Sequence, residues 1–369
     1  MIPVNEPIFD GNEKKYLNQC IDDGWISSEG PFVKEFEEKF SHFLGLKYGI
    51  AVCNGTVALE VALAASGIER DDEVIMPTFT IISCAIAAIR LGAKPVLVDS
   101  EIETWNMNVD QIEGKINKRT KAIMPVHIYG HPVDMDPITK LAEKYNLKVI
   151  EDAAEAHGAL YKGKKAGSIG DSGSFSFYAN KIITTGEGGM VVTDDDKIAE
   201  RAKSYRNMCF KPERRFYHTE LCNNFRMTNL QAAVGIAQLE QIDRFIDIKR
   251  ENAIRYTERL KNIEGIKTPI EKEWAKNVYW MYAIELSKEL SINAEQMAQG
   301  LAGKGIATRP FFLGLHEQPV FHAKGLFIGE RYPIAECIAR QGLYLPSGHT
   351  LTEEQIDYIC GEIELAIQP

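Results

Sequence analysis

The fold of this chain is organised around one stretch, Ser174-Phe175-Ser176-Phe177-Tyr178-Ala179-Asn180-Lys181, which runs into Ile182-Ile183-Thr184-Thr185-Gly186-Glu187-Gly188-Gly189. Its alternation of serine and phenylalanine predicts a strand, and the polar residues after it predict a turn. Lys181 follows the strand among small and apolar neighbours. Partial burial of this kind lowers the pKa of a lysine and makes its neutral, nucleophilic amine more available. Lys181 is therefore a candidate nucleophile, although the ordinary role of a lysine is a solvated surface charge.

A second stretch, earlier in the chain, supplies a carboxylate. It reads Leu147-Lys148-Val149-Ile150-Glu151-Asp152, the pattern of a buried strand that ends on acidic residues, and small residues follow it. In α/β sheets the carboxyl ends of the strands carry ligand-binding groups. A pyridoxal phosphate site needs both a nucleophilic lysine and such an aspartate. The lysine binds the cofactor covalently, and the aspartate keeps the pyridine nitrogen of the cofactor protonated.

The chain contains three motifs in a characteristic order: Glu151-Asp152-Ala153-Ala154-Glu155-Ala156, the stretch that ends at Lys181, and Thr184-Thr185-Gly186-Glu187-Gly188-Gly189. Together they resemble the DegT-type sugar-nucleotide aminotransferases, a family within the fold-type I pyridoxal phosphate enzymes. The resemblance begins at Trp25 and is still visible at Pro346. Within the family it is strongest to the enzymes that form GDP-perosamine, which aminate C4 of a GDP-4-keto-6-deoxyhexose with L-glutamate.

A repeated pattern of strand, turn and helix begins at Tyr48 and predicts a mostly parallel sheet flanked by helices. The resemblance implies an α/β protein of the fold-type I aminotransferase architecture, with a large domain built on this sheet and a smaller α+β C-terminal domain. We expect the large domain, with the N-terminal segment, to span residues 1–240 and the small domain residues 241–369. No G-x-G-x-x-G follows the first strand, which disfavours a nicotinamide dinucleotide.

The composition narrows the class of protein. The 369 residues carry a formal charge of −10, which disfavours a nucleic-acid-binding protein because such proteins present a basic face. The N-terminus lacks the basic start and apolar core of a secretory leader, and no apolar run approaches the ~20 residues of a membrane helix. The seven cysteines are scattered without a CxxC pair, which predicts reduced thiols, and the eight histidines lack metal-ligand spacing. We therefore expect a cytoplasmic protein with no metal, no nucleic-acid partner and no membrane partner.

Gly55 and Thr56 open a predicted helix, where free N–H groups and a hydroxyl favour a phosphate, although a plain N-cap explains the pattern equally well. The resemblance implies that these two residues and Ser176 bind the phosphate of pyridoxal phosphate. It also implies that Asn224 reaches across a homodimer interface to the partner's cofactor phosphate. The active site would then lie at that interface.

On the cofactor ring, the resemblance implies that Asp152 contacts the pyridine nitrogen and that Glu155 lies near the ring hydroxyl. Related enzymes often stack an aromatic or other flat side chain on the ring, in the position after Pro-x-x-Thr. Here Ile81 follows Pro77-Thr78-Phe79-Thr80. An isoleucine covers the ring by apolar contact and offers no π-stacking, so Ile81 marks a departure from the pattern of these relatives.

Four residues are candidates for contacts with the substrates, and each also has an ordinary structural interpretation. Ser27 lies in a turn that the resemblance places near the entrance of the active site. Lys211 belongs to a basic and aromatic stretch, Asn207 to His218, which would meet the nucleotide diphosphate because Lys and Arg suit phosphate oxygens. Arg309 would hold a carboxylate of the amino donor, and His316 would touch the sugar.

The resemblance implies a pyridoxal phosphate-dependent aminotransferase that moves the amino group of L-glutamate to a keto sugar nucleotide. The expected acceptor is GDP-4-keto-6-deoxy-D-mannose, which would give GDP-perosamine. Ile81 leaves open another nucleotide-linked keto sugar or a small phosphorylated ketone. Related dehydratases carry a histidine in place of Lys181, so the lysine disfavours them. An alternative of another class is a non-catalytic regulator that kept the fold, and the complete pair of Asp152 and Lys181 argues against it.

Overall fold

The computed structural model describes residues 1–211, 214 and 216–368. Within these residues the α-helices are α1 (Glu13–Asp22), α2 (Pro31–Leu44), α3 (Gly55–Ala65), α4 (Ser83–Arg90), α5 (Met135–Tyr145), α6 (Asp196–Arg206), α7 (Asn229–Leu239), α8 (Ile242–Leu260), α9 (Ala294–Gly303), α10 (Pro319–His322), α11 (Pro333–Gln341) and α12 (Glu353–Ile367). In this described part of the chain, no helix combines the length and the apolar character that crossing a membrane requires.

The strands in the same residues are β1 (Tyr48–Val52), β2 (Glu73–Pro77), β3 (Lys94–Val98), β4 (Thr120–Ile123), β5 (Lys148–Asp152), β6 (Leu160–Tyr161), β7 (Lys164–Lys165), β8 (Ser172–Ser176), β9 (Gly189–Thr193), β10 (Ile266–Lys267), β11 (Ala275–Lys276), β12 (Tyr282–Leu286), β13 (Arg309–Pro310) and β14 (Gly342–Leu345). Three short strands form a small sheet of their own, in the order β11-β6-β7. The other strands belong to two larger sheets.

The large sheet has seven strands in the order β1-β9-β8-β5-β4-β2-β3. All its neighbouring strands are parallel except β9, which is antiparallel to both β1 and β8. Helices pack against this sheet, so the predicted α/β class with a mostly parallel sheet is confirmed. Because β1, β2, β5 and β8 run in the same direction, the residues that follow them gather at one edge of the sheet.

Strand β8 shows how the alternating Ser/Phe pattern determines the packing. Successive side chains of a strand point to opposite faces. Phe175 and Phe177 are fully buried and pack edge-on against Phe40 of α2, with ring centroids 5.0 and 5.2 Å apart. Ser176 points the other way and ends the strand. The N–H of Phe177 donates to the carbonyl of Gly188 at 2.9 Å, which closes the loop that carries Lys181.

A second sheet, in the order β10-β12-β14-β13, is antiparallel throughout and shares a separate core with α8, α9 and α12. Two helices precede this region, since α7 ends at Leu239 and α8 begins at Ile242. The predicted domain boundary after residue 240 falls between them and stays a prediction. The first residues of the chain, which we expected to belong to the large domain, bond to the second region: Ile2 bridges Ile306.

The structure corrects the prediction that all cysteines are reduced. Cys209 and Cys222 form a disulfide, whereas the other five are free thiols: Cys20, Cys53, Cys84, Cys337 and Cys360. The two cysteines meet because the segments around them pair, with the N–H of Met208 donating to the carbonyl of Asn223 at 2.9 Å. Cys209, Cys222 and Glu220 form the one cluster of potential metal ligands in the described residues. The carboxylate of Glu220 also forms an ion pair with the guanidinium of Arg201.

Candidate active site

A cavity of about 560 Å³ lies where the carboxyl ends of β5 and β8 meet the N-terminus of α3. Polar groups of the large sheet line one side, and aromatic side chains from the second region line another. The lining includes Asn54, Gly55, Thr56, Ile81, Asp152, Glu155, Ser176, Lys181, Trp280, Phe312 and Tyr344. Seven residues of this set were predicted as cofactor ligands from the sequence: Gly55, Thr56, Ile81, Asp152, Glu155, Ser176 and Lys181.

Lys181 presents its amine to this cavity from the loop after β8. The side chain is 11% exposed, and its Nζ lies 3.8 Å from a carboxylate oxygen of Glu155. The same Nζ lies 3.7 Å from the ring centroid of Trp280. Burial lowers the pKa of Lys181, and the charges of Glu155 and Asp152 oppose that shift. The amine is therefore buried, nucleophilic and close to an acid that can exchange a proton with it.

Asp152 ends strand β5 and is 2% exposed. Its Oδ1 accepts the N–H of Ala154 at 3.0 Å, and its Oδ2 accepts the thiol of Cys84 at 3.1 Å. Its backbone N–H donates to the carbonyl of Pro125 at 2.8 Å. Both carboxylate oxygens are thus held in place, which suits a group that must meet a ring nitrogen in one orientation.

The neighbouring residue, Glu151, is a buried anchor that our reading of the sequence missed. Its Oε1 accepts the N–H groups of Ile169 and Gly170 at 2.6 and 2.7 Å, and its Oε2 accepts the N–H of Gly167 at 2.8 Å. His127 Nε2 lies 2.9 Å from the same Oε2. The signal was present in the sequence, because two adjacent acidic residues in a buried strand face opposite sides and each needs its own donors.

Two more features shape the site around Glu155. Its Oε2 accepts the N–H of Tyr129 at 2.8 Å, and Tyr129 has a left-handed backbone with φ 51° and ψ 15°. A non-glycine residue in this region carries backbone strain, and here the strained turn aims its N–H at the carboxylate. Burial raises the pKa of Glu155, and the nearby charge of Lys181 opposes that shift.

The N-terminus of α3 forms the remaining wall. Asn54 caps the helix by accepting the N–H of Val57 at 2.9 Å, and the hydroxyls of Thr56 and Ser83 lie 2.7 Å apart. A Cβ on Gly55 would come within 2.6 Å of the Cβ of Ser176, so only glycine lets helix and strand approach this closely. Free N–H groups at a helix start, with hydroxyls beside them, form a cradle for a phosphate.

The structure places the predicted substrate residues in different environments. His316 is buried and absent from the cavity lining; its Nδ1 lies 2.7 Å from Oγ1 of Thr78 and its Nε2 3.3 Å from Oε1 of Glu336. It therefore ties the second region to the loop after β2. Arg309 is exposed and pairs in register with Tyr344, which lines the cavity.

Three further predicted residues lie outside the cavity of this single chain. Ser27 is exposed, and its carbonyl accepts the N–H of Asn229 at 2.9 Å. Lys211 is partly buried, and its backbone forms an isolated antiparallel β-bridge with Arg214. Asn224 is exposed, and its backbone forms a β-bridge of the same kind with Asn207. Arg215, which belongs to the same predicted basic stretch, lies outside the described residues.

The arrangement fits pyridoxal phosphate. The cavity brings together an amine for covalent attachment, a doubly anchored carboxylate for a pyridine nitrogen, and a helix start with a glycine that leaves room for a phosphate. Ile81 lines the mouth of the cavity and is 40% exposed, which leaves an apolar side chain available to a ring face.

Comparisons with known proteins agree with this chemistry. Residues 7–364 match the DegT/DnrJ/EryC1/StrS aminotransferase family. The GDP-perosamine synthase of Escherichia coli O157:H7 is 45% identical and that of Caulobacter vibrioides 43%, in each case over 98% of this chain and 97% of the relative. The solved structure of DesV from S. venezuelae has a TM-score of 0.90 and 31% identity, over 97% of this chain and 95% of DesV. The chain therefore belongs to the DegT/DnrJ/EryC1/StrS family and is a pyridoxal phosphate-dependent aminotransferase.

Proposed function

We propose that this enzyme transfers the amino group of L-glutamate to C4 of GDP-4-keto-6-deoxy-D-mannose and so forms GDP-perosamine. The observation that carries the proposal is the meeting of Lys181 and Asp152 in one cavity, in a chain 41–45% identical to three GDP-perosamine synthases. Oxidative loss of nitrogen from L-glutamate yields 2-oxoglutarate, and the keto carbon of the sugar gains the amine. The two halves balance without any other reactant.

Lys181 and Asp152 have distinct roles in this reaction. Bound pyridoxal phosphate supplies an electron-accepting ring and the carbon, C4′, that carries nitrogen between the two substrates. Lys181 holds the cofactor until a substrate arrives. The Lys181 amine would accept the proton from Cα of L-glutamate in the first half of the reaction and would deliver a proton to C4 of the sugar in the second half. Asp152 keeps the pyridine nitrogen protonated while this happens.

The other cofactor residues act by binding and orientation. Gly55, Thr56 and Ser176 bind the phosphate through N–H and hydroxyl groups at the start of α3 and the end of β8. Glu155, fixed by the N–H of Tyr129, meets the ring hydroxyl. Ile81 covers a ring face by apolar contact, and the aromatic residues of the opposite wall exclude water from the amine.

Three residues are proposed to meet the substrates. Arg309 lies beside Tyr344 at the cavity wall, where its guanidinium suits a carboxylate of L-glutamate. Ser27 lies at the predicted entrance, and Lys211 in the basic stretch suits the diphosphate of the nucleotide. The contacts of His316 with Thr78 and Glu336 support a role in positioning the loop after β2, rather than the direct contact with the sugar that we predicted.

We also propose that the active enzyme is a homodimer in which Asn224 contributes to the partner's phosphate site. Asn224 is exposed and does not line the cavity of its own chain. The segment before it exposes large apolar side chains, with Tyr217 51% and Leu221 101% exposed. Such a projecting apolar surface is typical of a segment that packs on another chain.

Mixing two inactive variants tests the shared site. If Asn224 acts across the interface, Lys181→Ala and Asn224→Ala homodimers are each impaired, and subunit exchange restores about a quarter of the sites, because half of the dimers are mixed and each has one intact site. If Asn224 acts within its own chain, mixing restores nothing. Size-exclusion chromatography with light scattering gives the oligomeric state in parallel.

The proposed reaction is tested by visible absorbance. The purified enzyme should be yellow, and L-glutamate should bleach the band as nitrogen is loaded. GDP-4-keto-6-deoxy-D-mannose should then restore the band more efficiently than keto sugars linked to dTDP or UDP. If a dTDP-linked or UDP-linked keto sugar restores it better, the acceptor is wrong; a band that L-glutamate leaves unchanged contradicts the donor.

A further inference from the structure

Cys84 touches the carboxylate of Asp152 without lining the cavity. It lies on α4 and is fully buried, and its sulfur is 3.1 Å from Asp152 Oδ2. The hydroxyl of Thr80 contacts the same sulfur at 3.5 Å. The thiol thus has a carboxylate and a hydroxyl as polar partners. A buried side chain that served only packing would need neither of them.

We propose that Cys84 is a positioning residue for Asp152, whose thiol holds Oδ2 so that the carboxylate keeps the orientation in which it receives the pyridine N–H. This inference rests on the role that we propose for Asp152. The Ala154 N–H holds Oδ1, so the two donors together prevent rotation of the carboxylate about its Cβ–Cγ bond. With Cys84 removed, one oxygen loses its donor and the group is free to turn.

The direction of this hydrogen bond follows from the surroundings. Burial and the negative charge of Asp152 hold the pKa of the Cys84 thiol well above its ordinary value. The thiol therefore stays protonated, and a protonated thiol next to a carboxylate donates. A thiolate in this place would repel the carboxylate instead.

Three substitutions at Cys84 separate hydrogen bonding from packing. Cys84→Ser keeps a donor at nearly the same place, Cys84→Val removes the donor and adds one heavy atom, and Cys84→Ala removes the donor and leaves the site underfilled. The proposal predicts that the dissociation constant for pyridoxal phosphate rises about 5-fold in the Val and Ala variants and stays within about 2-fold in the Ser variant. If Cys84 serves packing alone, the Ser variant has no advantage over the Ala variant, since both side chains fill the site less well than the thiol.

The measurement is a titration of the stripped, full-length protein with pyridoxal phosphate, followed by visible absorbance. The pH midpoint of the bound cofactor's absorbance band is a second readout, which should move in the Val and Ala variants and return in the Ser variant. Cys360→Ala is the matched control, because it removes a buried thiol from the core of the second region. Equal dissociation constants for all Cys84 variants, or a Ser variant as impaired as the Ala variant, overturn the proposal.

Asp152→Asn distinguishes the failure of this inference from the failure of the proposed function. If Asp152→Asn weakens cofactor binding and Cys84→Val does not, Asp152 keeps its role and only the part assigned to Cys84 is wrong. If Asp152→Asn leaves both the dissociation constant and the band unchanged, the role of Asp152 itself is wrong.

Discussion

Two buried lysines contact the same tryptophan in different ways. Lys181 Nζ lies 3.7 Å from the ring centroid of Trp280, whereas Lys249 Nζ donates to the Trp280 carbonyl at 3.0 Å. Burial lowers the pKa of both amines, to about 7 for Lys249. The charge of Glu155 opposes this shift at Lys181. Within the described part of the chain, Lys249 donates to neutral acceptors only, the Trp280 carbonyl and the side-chain oxygen of Asn5 at 2.9 Å.

The difference shows that a lowered pKa does not make a lysine catalytic. Lys181 lines the cavity, so a carbonyl compound can reach its amine. Lys249 is 1% exposed on α8, sealed between the N-terminal segment and the second region. In the proposed reaction the lowered pKa of Lys181 serves the chemistry, whereas the amine of Lys249 has no access to the cavity.

The largest expected effect separates the two lysines by activity. Lys181→Ala should lower kcat by more than about 1,000-fold, because the amine that moves the proton is lost. Lys249→Met should keep most of the turnover, since its amine does not reach the cavity. Steady-state kinetics with L-glutamate and the keto sugar, with circular dichroism to check folding, measure both. A Lys249→Met variant as inactive as Lys181→Ala would break the comparison.

The next effect concerns the dependence of stability on pH. The pKa of Lys249 is about 7 in the folded protein against an ordinary 10.5, so between these values the unfolded chain binds more protons. The free energy of unfolding should therefore rise with pH across this window, by up to about 1.4 kcal/mol per pH unit. The same stabilisation is lost as the pH falls from 10.5 towards 7. Lys249→Met should remove that contribution, as urea unfolding at pH 7, 8 and 9 would show.

The control for this prediction is Lys34→Met, whose side chain is 81% exposed. It should leave the pH slope as it is in the unmodified protein. Burial lowers the pKa of the neighbouring His349 from 6.5 to about 2, so its contribution to the slope lies mainly below pH 7, and the Lys249→Met variant keeps the same His349. An unchanged slope in Lys249→Met would show that the amine is solvated in the folded protein.

A smaller effect is expected from the acid beside Lys181. Glu155→Gln removes a charge that opposes the effect of burial, so the pKa of Lys181 should fall further. The rate at which pyridoxal phosphate attaches to the stripped protein, measured against pH, should shift its midpoint to lower pH. Glu200→Gln, an exposed substitution on α6, should not move it. A midpoint that moves to higher pH in Glu155→Gln would contradict this electrostatic account.

The smallest effect is expected at the shared tryptophan. The indole N–H of Trp280 donates to the carbonyl of Asn180 at 2.7 Å, next to the lysine in the chain. Trp280→Phe keeps an aromatic face for Lys181 and loses this bond, which should cost about 1 kcal/mol in urea unfolding. Trp25→Phe, on an exposed side chain, serves as the comparison. A cost no larger than that of Trp25→Phe would show that the loop around Lys181 is held by its other contacts.

Much of the local structure could be predicted because it depends on near neighbours in the chain. The sequence predicts a helix from Glu13 to Asp22, and α1 has these bounds. Thr228, followed three positions later by Gln231, predicts a capping box at the start of α7, and the two residues do bond each other's backbone. Both features rest on residues within a few positions of one another, where periodicity and capping rules apply directly. The bounds of strands are less well predicted: the pattern from Val278 to Leu286 predicts one strand, whereas β12 begins at Tyr282.

Contacts between distant residues could not be predicted in this way. The contact of Cys84 with Asp152 spans 68 positions, and that of His316 with Thr78 spans 238. The disulfide between Cys209 and Cys222 was missed although the two are 13 positions apart, because it depends on the pairing of the residues that flank them, Met208 and Asn223. No periodic pattern encodes any of these pairs.

The sequence by itself determined the α/β class and the order of the elements, because strand periodicity is local. It also determined the family, because the motifs occur in order, and it indicated that Lys181 and Asp152 share one site, because each follows or ends a predicted strand. Only the tertiary structure decided which donors hold Asp152, that Glu151 anchors the loop behind it, and that Lys249 is sealed away from the cavity. Those outcomes depend on how sheet, helix and second region pack together, and packing joins residues that are far apart in the chain.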